Sequence, residues 1–230
     1  MQLQIDGLSV TVLRKPIKNM HLRVLPPDGS VQITAPGRLP VAQIERFVRE
    51  KRGWIARQQA LILSQPPVTD ASCEDGQRVY LWGQSFTLRL EHAARRRDVL
   101  CRGQEIVLLV RPDDTPEKRL ALLNSFYRAA LQAQIERQLP IWEERSGLHP
   151  SSFQIKNMTT RWGTCNTRTK KIWFNLQLAK QPSVCLDYII AHELTHLRYG
   201  GHGADFKAFL TRLMPDWPEI RKQLNEKTYL

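Results

Sequence analysis

The sequence predicts an α+β chain in two parts. The first is a β-rich N-terminal part carrying a basic amphipathic helix, and in the second a histidine-bearing helix packs under a small antiparallel or mixed sheet. Three observations predict this. Short alternating segments separated by turn residues fill the start of the chain. Apolar residues then recur at helical spacing from Ile44 to Ile55. A second helical pattern, around residues 183–197, carries two histidines four positions apart on one face. The expected boundaries are 1–66 for the first part, 67–77 for a linker and 78–230 for the second.

QLQI, VTVLR, HLRVL and VQITAP read as strands, because β-branched and alternating residues suit a pleated, half-buried surface. Asp6-Gly7 and Pro26-Pro27-Asp28-Gly29 supply turns between them. Ile44, Phe47, Val48, Trp54 and Ile55 put one apolar stripe on a helix between Pro40 and about Leu63, with arginine and lysine on its other face. Residues 65–77, QPPVTDASCEDGQ, are the one stretch with linker composition. VYLWG, FTLRL and EIVLLV again read as strands. Thr115 as N-cap and Pro116 at the first helical position open a long helix toward Pro140 or Gly147, with a break or kink expected at Pro140. Residues 171–178, KIWFNLQL, alternate as a strand with Ile172, Phe174, Leu176 and Leu178 on one face. Pro182-Ser183 opens the histidine-bearing helix, and the sequence shows no internal repeat.

Composition excludes several classes. With 230 residues, 42% hydrophobic and 24% charged, the chain is globular rather than disordered. No apolar run approaches the ~20 residues that span a bilayer. The alternating start, MQLQIDGLSV, is unlike a signal peptide, so a cytoplasmic protein with no membrane partner is expected. Cys73, Cys101, Cys165 and Cys185 form no CxxC pair and read as free thiols. The excess of 34 Lys+Arg over 22 Asp+Glu, a net +12, suits a polyanionic partner such as nucleic acid, a nucleotide or an anionic surface. Arg95, Arg96 and Arg97 cluster, as do Lys170 and Lys171, but no RNA-module aromatic signature accompanies them. Charge alone therefore leaves nucleic acid open as a partner without assigning it.

The chemistry concentrates in residues 192–196, HELTH. On a helix His192 and His196 are neighbours on one face and can share one ion. Glu193, turned about 100° away, stands beside such an ion without having to ligate it, which suits a general base. Leu186, Ile190, Leu194 and Leu197 line the opposite side, and Gly200-Gly201 is expected to end the helix in the left-handed conformation. A catalytic zinc takes three protein ligands and keeps one position open. His202, just past the glycines, is the third candidate, with Asp205 as the fallback. A purely structural zinc would give Glu193 no task, and no fourth histidine or cysteine is close in sequence.

RWGTCN at 161–166, IWFNLQL at 172–178, LDYIIAHELTHL at 186–197, His202 and the tail FKAFLTRLMPDW resemble the YgjP-like family. These are metal-dependent hydrolases of the zincin type, related in pattern to SprT-like metallopeptidases. KNMHLRVLPPDGSVQITAP and IERFVREKRGWI are similar to the family's front half, so the resemblance runs from Lys18 to Trp217. It implies a zincin-like catalytic part with one Zn²⁺ on His192, His196 and His202 and with Glu193 as catalytic base. The expected activity is hydrolysis of a peptide or protein substrate, the zinc acidifying its water and Glu193 moving the proton. A peptide could add to the 172–178 strand if that strand is an exposed edge. Two other readings use the same site: hydrolysis of a nucleotide phosphoanhydride, and a nucleic-acid-binding module with a structural zinc.

Further candidates surround the metal. Arg161 either neutralises an oxyanion, carboxylate or phosphate, or pairs with a structural acid while Trp162 and Gly163 pack on the helix. Tyr199, placed on the face of His192 and His196, either donates to a developing oxyanion or packs behind the site. Asn175 and Trp173 are candidates for substrate binding, Asn175 by orienting a peptide backbone or supporting the site. Cys165 has no visible activating base and is expected to pack.

Overall fold

The computed structural model describes residues 1–25, 28–64, 73–93 and 96–226. Pro26, Pro27, Arg95 and residues 67–72 of the expected linker lie outside them. Contacts divide the chain into two units, Met1–Thr69 and Asp70–Leu230, each with its own hydrophobic core.

In the first unit β1 (Gln2–Ile5), β2 (Leu8–Lys15), β3 (His21–Leu25) and β4 (Ser30–Pro36) form a sheet in the order β1-β2-β4-β3. β2 and β4 run parallel and the other pairs antiparallel. Asp6 and Gly7 both adopt left-handed backbone (φ 48° and 78°), the geometry a two-residue hairpin turn requires. The helix expected in one piece is two, α1 (Val41–Glu50) and α2 (Arg52–Ser64). The course changes at Lys51 (φ −94°, ψ 4°), after which the Arg52 guanidinium donates to the carbonyls of Ile5 and Asp6 at 3.2 and 2.9 Å. Ile44, Val48 and Ile55 fill the core, whereas Trp54 is 39% exposed. Trp54 lies about 100° round the helix from Ile55, and only Ile55 is on the buried side.

The second unit begins by repeating that sheet. β5 (Arg78–Leu81), β6 (Gln84–His92), β7 (Asp98–Arg102) and β8 (Glu105–Val110) pair in the order β5-β6-β8-β7, again with only the β6–β8 pair parallel. Trp82-Gly83 reproduces the left-handed turn of Asp6-Gly7 (φ 51° and 76°), and Gly83, Ser85 and Thr87 match Gly7, Ser9 and Thr11 in spacing. The chain thus contains a structural repeat that its sequence conceals, because a sheet constrains alternation and turn chemistry far more than identity. Residues 73–77, expected in the linker, belong to this unit. Cys73 is fully buried, the Gly76 N–H donates to Leu88 O at 2.8 Å, and the Leu88 N–H donates to Gln77 O at 2.7 Å.

α3 (Pro116–Ser146) buries a single stripe, Leu123, Tyr127, Leu131, Ile135, Leu139 and Trp142. Pro140 does not break it: the residue is on the exposed side, where the one backbone bond it removes faces solvent. Gly147, left-handed at φ 69°, terminates the helix. A second sheet follows, built from β9 (Ser152–Lys156), β10 (Gly163–Asn166) and β11 (Lys171–Asn175) in the order β10-β11-β9. Residues 171–178 are therefore strand only as far as Asn175. Leu176–Lys180 form a 3₁₀ turn capped by the Asn175 side chain, which accepts from the Gln177 N–H. β11 is central rather than an edge, and β10 and β9 are the two edges. α4 (Ser183–His196) packs against β10, followed by α5 (Ala204–Leu213) and α6 (Trp217–Asn225). Among the described residues no helix is long and apolar enough to cross a membrane, and all four cysteines are free.

Part of the basic cluster is structural. Arg97 grips Asp114 through Nε at 3.0 and 2.8 Å and also through Nη2, while the Arg111 N–H donates to the same carboxylate at 2.9 Å. These bonds, those of Arg97 foremost, hold the buried Asp114 carboxyl well below its usual value of 3.8. A depressed carboxyl adds stability above its unfolded pKa, and that stability is lost as pH falls through the folded value. Asp114→Asn is accordingly expected to lower stability at neutral pH and to flatten the acid loss between about pH 5 and pH 2. Superimposable pH–stability curves for the two proteins would reject this role.

Candidate metal centre

α4 is buried along almost its whole length, with Leu186, Ile190 and Leu194 fully enclosed, so its position is set by packing. It ends at His196, earlier than expected. Neither Gly200 nor Gly201 adopts the left-handed conformation; instead the Arg198 and Tyr199 N–H groups both fold back onto Thr195 O, at 3.1 and 3.0 Å. That tight turn places the Tyr199 carbonyl 3.1 Å from His196 Nδ1. A carbonyl only accepts, so Nδ1 carries the proton and Nε2 keeps its lone pair for a metal.

His192, His196 and His202 converge, with one ring nitrogen of each inside a 4.8 Å cluster. His192 Nε2 and His202 Nε2 are 3.1 Å apart. Two nitrogens on a tetrahedral zinc, each at ~2.0–2.1 Å, stand about 3.3 Å from one another, so the His192–His202 pair is at the spacing the ion requires. Burial, then the charges of His196, His202 and Arg221, push the His192 imidazole down to about 3; burial also lowers His196. Both are therefore held neutral, the form that ligates. Asp205, the fallback ligand, lies outside the cluster, in a separate pocket with Arg198 and Arg212.

Glu193 is 4% exposed, and among the described residues its Oε2 has no hydrogen-bond partner. Burial pushes its carboxyl up to about 8, against the pull of the Arg161 charge. Above it lies Gly163 of β10. A β-carbon there would sit 2.6 Å from Glu193 Oε1 and 2.8 Å from Ile189 Cγ2, so only glycine lets strand and carboxylate approach this closely. Arg161 is exposed at the mouth of the site and, among the described residues, forms no ion pair.

Other expected residues are placed differently. Tyr199 is past the end of the helix, so its ring leaves the histidine face and packs on Phe209 at 5.7 Å; only its carbonyl serves the site. Trp173 lies on the sheet face opposite Phe174, bonded to Gln154 at 3.0 Å with the Lys156 ammonium 4.8 Å over its ring, and lines no part of the metal cavities. Asn175 is buried and lines neither metal cavity, which agrees with support of the site rather than orientation of a peptide. Its amide donates to the carbonyls of Met158 and Arg161 at 2.8 and 2.7 Å and accepts from the Met158 N–H at 3.2 Å, which clamps the loop that presents Arg161. Burial pushes the Cys165 thiol up to about 11, consistent with packing rather than nucleophilic attack. Sequence reasoning missed Tyr188, whose hydroxyl is 3.5 Å from His192 Nδ1, and Trp217, stacked on Tyr188 at 6.3 Å. The four-residue interval from Tyr188 to His192 was a readable signal for the first; Trp217 comes from a different helix and gave none.

A cavity of about 660 Å³ opens beside the triad, and a second of about 430 Å³ lies along β10. The family model for the YgjP-like, metallopeptidase domain matches residues 18–227. The chain belongs to the YgjP-like metallopeptidase family. Similar solved structures include two metallopeptidase zymogens. Abylysin from Pyrococcus abyssi is 18% identical over 41% of this chain and 94% of its own, with a TM-score of 0.38. Jannalysin from Methanocaldococcus jannaschii is 23% identical over 41% and 90%, also with a TM-score of 0.38. No curated protein matches. A YgjP-like metallopeptidase domain implies a catalytic metal, typically zinc, and in this member His192, His196 and His202 could bind it.

Proposed function

We propose that the chain hydrolyses peptide bonds, with one zinc ion on His192, His196 and His202 and with Glu193 as general base. One observation carries this reading: a buried carboxylate with an unpartnered oxygen stands beside three imidazoles whose free nitrogens converge. A structural site would have no use for that carboxylate. A zinc held there supplies a Lewis acid and an acidified water. Glu193 takes the proton of the attacking water and returns it to the leaving amine. A nearby dication favours its charged form, opposing the burial that raises its pKa. Arg161, exposed at the mouth, offers positive charge to the substrate, and Asn175 acts through the loop as a positioning residue. β10 pairs with β11 on one side only, so its other side has main-chain groups to offer an extended peptide in the place expected for the 172–178 strand.

A second reading, hydrolysis of a nucleotide phosphoanhydride at the same site, is favoured by the cations Arg161, Lys207 and Arg221 around the larger cavity. A screen of unstructured peptides and nucleoside triphosphates with zinc-loaded protein separates the two. Peptides are expected to be cleaved, the activity to vanish with a chelator and to return with zinc. Consumption of nucleotides alone would overturn the peptidase reading.

A further inference from the structure

We propose that the larger cavity is a carboxylate-recognition subsite, selecting substrates with an acidic side chain or a free C-terminal carboxylate beside the scissile bond. The inference rests on the peptidase reading above and adds the substrate class to it. Three cations reach the cavity from three separate elements: Arg161 from the loop before β10, Lys207 from α5 and Arg221 from α6. Glu193 is the single acid among the residues lining it. Among the described residues none of the three cations forms an ion pair. Their charge is therefore not spent in an ion pair inside the protein, and all three line the space a substrate would enter.

The walls suit a short acidic side chain. The stacked Tyr188–Trp217 pair, Trp162, Ile189 and Leu224 form apolar surface against which methylene groups can lie. Low-dielectric walls strengthen the attraction between the cations and a carboxylate tip. At about 660 Å³ the space takes one or two residues of a peptide. A polyphosphate fits the charge but not the rest of the site. Nucleoside triphosphates travel with Mg²⁺, which is held through carboxylates. Among the described residues the three histidines are the only cluster able to hold an ion.

The test uses the full chain carrying Glu193→Gln, loaded with zinc so that peptides bind without being consumed, and reads the change in intrinsic tryptophan fluorescence, to which Trp162 and Trp217 of the cavity wall contribute. Three versions of one hexapeptide are compared: Glu with an amidated C-terminus, Gln with a free C-terminal carboxylate, and Gln amidated. At least one carboxylate peptide is expected to bind about tenfold more tightly than the neutral one. Which of the two does so identifies the source of the recognised group. In the Lys207→Ala/Arg221→Ala double variant, whose changes are both at exposed positions, the preference is expected to fall to within about twofold. Equal affinity for all three peptides, or a preference that survives the double substitution, overturns the inference. Tight binding of inorganic triphosphate with none of the peptides bound overturns it in favour of a phosphate site. Cleavage by the native protein is scored separately. Peptides cut without regard to charge sink this inference alone, whereas carboxylate-selective binding with no peptide cut sinks the peptidase reading and leaves the subsite standing.

Discussion

Replacing Glu193 with glutamine is expected to lower kcat on a cleavable peptide by at least about a hundredfold while leaving zinc content unchanged. The side chain keeps its size, so the packing under Gly163 survives, and the three imidazole donors are untouched. What disappears is the ability to take a proton. Folding should not suffer, since among the described residues the buried Oε2 has no partner to lose. Metal analysis alongside steady-state kinetics decides the matter. Wild-type turnover in the variant would remove Glu193 from the chemistry, and loss of zinc would instead make it part of the metal's support.

The second large effect is expected at a residue with no functional group. Gly163→Ala would place a β-carbon 2.6 Å from Glu193 Oε1, 2.9 Å from Glu193 Cγ and 2.8 Å from Ile189 Cγ2. Both neighbours are buried and cannot swing into solvent. Either the carboxylate rotates or β10 lifts, and a displacement of about 1 Å at a reacting group can cost a hundredfold in rate. Overpacking of this kind also destabilises by ~1–3 kcal/mol. The variant should therefore bind zinc, unfold somewhat earlier and turn over peptide about a hundred times more slowly. Native-like kcat/KM with an alanine at this position would show that the strand and the base are not coupled.

Short-range features were legible before any coordinates. The His192–Glu193–His196 arrangement follows from helical geometry over five residues, and Asp6-Gly7 and Thr115-Pro116 announce a turn and a helix start by backbone chemistry alone. Local patterns in this chain stop earlier than their periodicity suggests. Helical spacing puts Tyr199 on the histidine face only if the helix continues, and it stops at His196. The 171–178 alternation continued as hydrophobic burial, but as a 3₁₀ turn beyond Asn175. The repeat of the four-stranded sheet stayed hidden because Gly, Ser and Thr at matching intervals are too few and too common to stand out.

The three converging histidines and the carboxylate proposed as base were therefore written in residues 192–202, where spacing along the chain is nearly spacing in space. Tertiary structure alone decided that β11 is central with β10 at an edge, that Gly163 meets Glu193, and that Asn175 holds the loop of Arg161. It alone gathered Arg161, Lys207 and Arg221 round one cavity. Each of these depends on strand order or on helices distant in sequence meeting, and periodicity along a single segment carries no information about which partner that segment will find. The basic charge shows the difference best. As a total of +12 it pointed toward polyanions in general. Once folded, Arg97 is tied to Asp114, and three other cations line the space beside the three histidines.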